Sequence, residues 1–333
     1  MQNIEIAVYI GISAALFFDF VNGFHDSANA IATVVGTRVL RPLYAVGMAA
    51  LANFAGPFIF GTAVAATVGK GIIQPSFSTV DVIFAGLIGA TIWDLITWYF
   101  GLPSSSSHAL IGGLIGSALI AGGTPALIFS GIEKTLTFMV VSPALGFASA
   151  IGIAIAIMYF FRNQNSSHVN RIFGHLQIVS SLFFSLTHGA NDGQKTMGVI
   201  TALLIAGGML ESKSFVVPSE VILASAFAIA LGTFFGGWRI VKTMAFKLTN
   251  LRPYQGFCAE TAGGVILTSM AWLGIPVSTT HAIAGAIMGV GATKRLSAVR
   301  WGVGKRIVYA WIITIPASAT VAALVLLLIK TIF

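Results

Sequence analysis

The sequence predicts an all-α integral membrane protein of two inverted-topology repeats, with broken helices, helical hairpins and about 12 helical membrane segments. Three observations carry that prediction: an apolar composition, two motifs that each occur twice, and the sign of the charges between apolar segments. Of 333 residues, 56% are hydrophobic and only 8% are charged, against roughly 25% charged in a soluble domain. This excludes an ordinary water-soluble globule, and the low polarity excludes a disordered chain. The single cysteine, Cys258, excludes a disulfide framework and any Cys-ligated metal site. The net charge of +8 comes from basic residues scattered among short loops. That pattern fits cytoplasmic anchoring and no nucleic-acid partner.

The chain opens with Met1-Gln2-Asn3-Ile4-Glu5, which lacks a basic leader, so the first apolar run reads as an uncleaved membrane segment. It runs into Phe18-Asp19-Phe20-Val21-Asn22-Gly23-Phe24-His25-Asp26-Ser27-Ala28-Asn29. A related stretch, Phe184-Ser185-Leu186-Thr187-His188-Gly189-Ala190-Asn191-Asp192-Gly193-Gln194-Lys195, follows at an offset of 166. The second motif, Gly101-Leu102-Pro103-Ser104-Ser105-Ser106-Ser107-His108, matches Gly274-Ile275-Pro276-Val277-Ser278-Thr279-Thr280-His281 at an offset of 173. Glycine pairs Gly112/Gly116 and Gly285/Gly289 follow the two copies and read as close-packing faces. Two motifs recurring in one order point to internal duplication. The expected units are 1–161, a cytoplasmic linker 162–174, and 175–333.

Loop charges set the expected topology. Basic loops carry Arg38/Arg41, Arg162/Arg171, Lys242/Lys247/Arg252 and Lys294/Arg295/Arg300/Lys305/Arg306; poor or balanced ones carry Lys70/Asp81, Glu133/Lys134 and Glu211/Lys213/Glu220. With the basic loops inside, each unit crosses an odd number of times and the two have opposite orientation. Both termini fall outside, in a multi-pass protein of the cell's inner membrane. The stretches 79–122 and 255–293 begin and end on one side, either as re-entrant hairpins or as two full crossings.

Both motifs read as polar interruptions of apolar helices. Proline ends the incoming helix, and the following Ser and Thr cap the outgoing one. A helix start offers free N–H groups and partial positive charge, a fit for an oxyanion. Asp26 and Asp192 stand beside glycines that are expected to break their helices. A carboxylate inside the bilayer calls for a cation, a proton path or an ion-pair partner, for which Lys195 is a candidate. Hard oxygen donors from Asp26, Asn29, Asp192 and main-chain carbonyls suit sodium. His25 and His188 fit donors to an oxyanion, proton carriers or packing residues equally. Asp94 reads as structural, bracing its hairpin arm through a hydroxyl; Glu260 is open between site and structure.

GFHDSANA (23–30) and GANDGQKTMG (189–198), with PSSSSHALIGGLIG and PVSTTHAIAGAIMG, resemble the paired signatures of the inorganic phosphate transporter (PiT) family along essentially the whole chain. The resemblance implies a cation-driven phosphate importer, homodimeric and without a resident cofactor. It implies phosphate between Ser104, Ser105, Ser106, Ser107, Ser278, Thr279 and Thr280; His25 and His188 are added to that set from the reading of the residues above. It implies sodium ligands among Asn22, Asp26, Asn29, Asn191, Asp192 and Glu260. Asn53 stands where some sodium-coupled relatives carry an acid, and Phe24-His25 replaces a common Ala-Asn. GFHDSANA is closer to bacterial members, some of which move metal-phosphate with protons, so a proton-coupled reading stands beside the sodium one. An anion channel and a membrane phosphatase using His108 or His281 are the rivals from other classes.

Overall fold

In the computed structural model, which describes residues 2–211 and 215–332, no strand forms among the described residues and α-helices follow one another along the chain. Met1, Lys213 and Phe333 lie outside the described residues. The helices are α1 (Gln2–Gly36), α2 (Pro42–Phe60), α3 (Ala63–Gly71), α4 (Val80–Phe100), α5 (Ser106–Gly122) and α6 (Phe129–Phe160). Then come α7 (Ser166–Ala206), α8 (Ser219–Phe235), α9 (Trp238–Lys242), α10 (Pro253–Trp272), α11 (Thr279–Ala292) and α12 (Trp301–Ile332). By length and composition α1, α2, α4, α6 and α12 are able to cross a membrane, as is the α8–α9 pair if its 56° bend is one span. Among the described residues, length and composition alone therefore qualify five helices, or six with the bent pair, as full spans, and do not fix the number of helical membrane segments. The 41-residue α7 and the 20-residue α10 are long enough but too polar to qualify, because they carry buried site residues. α7 also begins at Ser166, inside the polar stretch read as a linker.

The expectation that glycines break the two signature helices is corrected. α1 runs unbroken through Gly23, and α7 through Gly189, Gly193 and Gly198. Glycine is tolerated inside a helix where backbones must touch. A methyl group on Gly23 would lie 2.1 Å from the Ile229 carbonyl oxygen of α8, and one on Gly189 would lie 2.3 Å from that of Asn53 on α2. The breaks fall at the hydroxyl motifs. α4 ends on Gly101 (φ 64°), with Leu102 N–H returning to Thr97 O; α10 ends before Gly274 (φ 63°), with Ile275 N–H returning to Met270 O. Only glycine reaches that left-handed geometry without steric cost, and the prolines that follow cannot rejoin a helix. Two helical hairpins result, α4–α5 and α10–α11.

Each hairpin leans on a long helix through its glycine pair, as the sequence predicts. A methyl on Gly116 would meet the Ala319 carbonyl of α12 at 2.1 Å; one on Gly285 would meet the Pro143 carbonyl of α6 at 2.2 Å. Two buried apolar clusters result. Along α1, one takes residues up to Phe18 and the other resumes at Ala28; along α7, one includes Phe184 and the other begins again at Met197. The polar signature residues sit between these clusters. Large apolar side chains such as Leu51, Val140 and Phe160 face outward, as suits a lipid surround.

Gly116→Ala should lower the thermal midpoint in detergent, since overpacking costs about 1–3 kcal/mol. Gly152, where a methyl would meet nothing within 4 Å, should accept alanine without loss. Equal midpoints for the two variants would refute the close-packing role.

Candidate functional site

The hydroxyl turns are built by capping. Ser105 Oγ accepts from His108 N–H at 3.3 Å and Ser278 Oγ from His281 N–H at 3.1 Å, which starts α5 and α11. These two serines are thereby committed to the backbone. The next residues, Ser106/Ser107 and Thr279/Thr280, occupy the first helical turn, where N–H groups have no intrahelical acceptor. The two turns touch: Ser107 Oγ lies 3.4 Å from the Val277 carbonyl oxygen. Two helix starts therefore converge on one place.

The carboxylates are held against these turns. Asp26 Oδ1 accepts from His25 Nδ1 at 2.7 Å, and Asp26 Oδ2 lies 2.9 Å from Ser106 Oγ. Ser106 Oγ is also 2.7 Å from Asn22 Oδ1, so its one proton serves the amide or the acid at a given moment. Asp192 Oδ1 accepts from Lys195 Nζ at 2.5 Å and Asp192 Oδ2 from Thr279 Oγ1 at 3.0 Å, with His188 Nε2 3.3 Å away. Asn29 Nδ2 donates to Thr280 Oγ1 at 2.8 Å and to Thr279 Oγ1 at 3.3 Å. Lys195 also donates to Ser107 Oγ and, at 2.8 Å, to Val277 O. Ser104 Oγ donates to Thr97 and lies 3.3 Å from His25 Nε2. One ligand atom each from Asp26, His188 and Asp192 all lie within 4.8 Å of one another, close enough to share one cation. All these side chains are buried.

Two expected sodium ligands fall elsewhere in part or in full. Asn191 Nδ2 donates to the Thr187 and Leu267 carbonyls, tying α7 to α10 and leaving its Oδ1 free of hydrogen bonds among the described residues. Glu260 is not in this cluster. It is bonded by Thr33 at 2.5 Å, Gln177 at 3.3 Å and Ser180. Gln177 stands fifteen residues before Asp192 on the same helix α7, which at 1.5 Å per residue is about 22 Å. Asp94 does not brace its arm: among the described residues neither of its buried oxygens has a hydrogen-bond partner, and the same holds for Asp19. Asn53 supports the site from behind, accepting at Oδ1 3.2 Å from His188 Nδ1 and donating to Thr233 at 2.7 Å. His108 and His281 meet edge to face at 4.2 Å, His281 stacks on Trp311, and neither ring hydrogen-bonds a carboxylate among the described residues.

The most consequential residue underrated by sequence reading is Lys195, which links Asp192 to both turns. Its signal was present, since the 166 offset sets it against Asn29. Asp19 lies inside the first motif, but the offset of 166 sets it against Ser185, so the repeat gives it no matching acid; Asn53 lies outside both motifs.

The fold and this cluster define a multi-pass membrane transporter, and the comparisons agree. The phosphate transporter family matches residues 22–322, and the chain belongs to that family. A Rhizobium meliloti protein named "Probable low-affinity inorganic phosphate transporter" is 54% identical over 94% of this chain and 93% of its own length. A Bacillus subtilis protein of the same name is 42% identical over all of both chains. A solved structure titled "The sodium-dependent phosphate transporter" superposes with a TM-score of 0.88 at 26% identity, covering 98% of this chain and 100% of its own. Family and relatives are transporters rather than enzymes, so the phosphatase reading falls.

Thr279→Val should weaken phosphate binding about tenfold by removing the hydroxyl between Asn29 and Asp192, while the Ser278 cap preserves the helix. Ser278→Ala should instead cost about 1 kcal/mol of stability and leave binding within a few fold. Calorimetric titration and thermal melts of both variants separate the roles; the reverse pattern would refute them.

Proposed function

We propose that this chain imports inorganic phosphate with sodium across the cell's inner membrane by alternating access. The meeting of two hydroxyl-capped helix starts with Asp26 and Asp192 in one buried pocket carries this reading. Phosphate near neutral pH brings −1 to −2 and the two aspartates add −2 when ionised, of which Lys195 beside Asp192 returns only +1. Like charges about 4 Å apart repel by about 4 kcal/mol at an effective dielectric near 20. The anion therefore enters that pocket only with cations, and binding the two together follows from the residues themselves.

In this reading phosphate lies between Ser106/Ser107 and Thr279/Thr280, displacing the hydroxyl-to-carboxylate bonds, with His25 and His188 at its margin. Sodium takes oxygens from Asn22, Asp26, Asn29, Asn191 and Asp192. Glu260, with Thr33, Ser180 and Gln177, serves a cation position of its own. The superposed structure, a sodium-dependent phosphate transporter, supports sodium as the coupling ion.

Two inverted units, 1–161 and 175–333 joined by 162–174, account for paired contacts. α1 packs on α8 while α7 packs on α2, and α5 packs on α12 while α11 packs on α6. Thr67 Oγ1 donates to Gly274 O and Thr243 Oγ1 to Gly101 O, so a short segment of each unit braces the other's turn. Turns that meet favour re-entrant hairpins entering from opposite faces. Both termini then lie outside, and the family resemblance supplies a homodimer. Because the pocket residues are buried, entry and exit require one part of the protein to rock against the other. Each net positive charge carried inward gains about 2.3 kcal/mol per 100 mV.

Radiolabelled phosphate uptake into proteoliposomes, under imposed sodium or proton gradients, tests the reading. Uptake should follow the sodium gradient, and Asp26→Asn and Asp192→Asn should each abolish it in protein that remains monodisperse. Uptake driven by protons alone would assign proton coupling; uptake driven by neither gradient would reject secondary transport.

A further inference from the structure

We propose that the Lys195 ammonium is a built-in cation, occupying in the second signature the place that an alkali ion would otherwise take, and so removing one ion from the coupling stoichiometry. This rests on the cation-coupled reading above and narrows it.

The two offsets allow a residue-by-residue comparison. At 166, Asn22, His25, Asp26 and Asn29 fall on His188, Asn191, Asp192 and Lys195; at 173, Ser106 and Ser107 fall on Thr279 and Thr280. The hydrogen bonds obey the same correspondence. Asp26 pairs with Ser106 as Asp192 pairs with Thr279. Asn29 donates to Thr280 as Lys195 donates to Ser107. The two signatures are thus built to one plan, and an ammonium stands in one where a neutral amide stands in the other. An amide brings an oxygen that serves a mobile cation. An ammonium brings the charge itself.

The shell around Lys195 Nζ supports this. It consists of a carboxylate oxygen of Asp192 at 2.5 Å, the Ser107 hydroxyl and the Val277 carbonyl at 2.8 Å. Those are the hard oxygens an alkali ion takes, and their number matches the three donors of an ammonium. The side chain is 3% exposed, so these oxygens and not water solvate the charge. A free ion at Asp192 Oδ1 would compete for the same oxygens against a like charge, so the lysine and the ion exclude each other. A plain surface-type ion pair would need only the carboxylate. Here the ammonium also reaches the Ser107 hydroxyl of the first turn, one of those proposed for phosphate, and the Val277 carbonyl of the second. The pocket consequently keeps one positive charge through the whole cycle, and fewer mobile cations accompany each phosphate.

Equilibrium binding of radioactive sodium to the full-length purified protein, with saturating phosphate, tests the proposal. Lys195→Asn restores the residue type of the first signature and should bind one sodium per chain more than the wild type. The sodium dependence of phosphate binding should steepen accordingly. An unchanged count in a folded variant would overturn the proposal, because loss of a merely structural ion pair creates no ion site. Lys195→Gln gives a second neutral amide if the first variant is not monodisperse. Anomalous diffraction from wild-type crystals soaked in thallous ion needs no variant: no peak should bridge Asp192, Ser107 and Val277. A peak there, with Lys195 swung away, would overturn the assignment. The wild-type count reports separately on sodium coupling. If it is zero, that reading fails, while an ion gained by Lys195→Asn still supports the lysine's role and zero in both overturns it.

Discussion

Asp26 and Asp192 lie close together beside His188, both buried from bulk solvent. Charge buried in this way survives only when every oxygen is engaged by donors or counter-charge. The surrounding chain meets that demand piece by piece. His25 serves Asp26 and Lys195 serves Asp192, while Ser106 and Thr279 reach in from the two turns. The partial positive charge of two helix starts adds to this. Remove the carboxylates and the convergence of those turns loses its electrostatic reason.

The rest of the fold delivers these donors. The turns reach the middle of the molecule because glycines let each hairpin press backbone to backbone on α12 or α6. α1 and α7 hold their acids in register by remaining continuous helices, each fixed by glycine contacts to α8 or α2. Side-chain hydroxyls on short segments, Thr67 and Thr243, then pin the glycine carbonyls at the turn entrances. Satisfaction of backbone and buried charge is one problem here, since lipid offers no substitute partner for either.

The sequence made some of this legible. Proline followed by hydroxyls states a helix break and a cap in local terms, and Ser105 and Ser278 behave accordingly. The packing glycines at 112, 116, 285 and 289 were legible from their spacing. Gly23 and Gly189 were not, because a helical glycine signals a break and a close approach alike, and only the neighbouring backbone distinguishes them. Glu260 stayed open between site and structure because sequence gives no depth along a helix; its partners Gln177 and Ser180 lie about three to four turns before Asp192 on α7, and Thr33 about two turns beyond Asp26 on α1. Asp94 was read as braced, but a hydroxyl one turn along the chain does not guarantee contact: Thr97 turns its hydroxyl to the backbone and to His25. Asn53 was visible only as a departure from relatives, and its hold on His188 depends on two segments 135 positions apart.

The most direct measurement is a structure of the protein loaded with sodium and phosphate. The account predicts tetrahedral density between Ser106 and Thr279, in contact with both helix starts and with cation density beside Asp26. Phosphate density elsewhere, with the two turns still bonded to their aspartates, would contradict it.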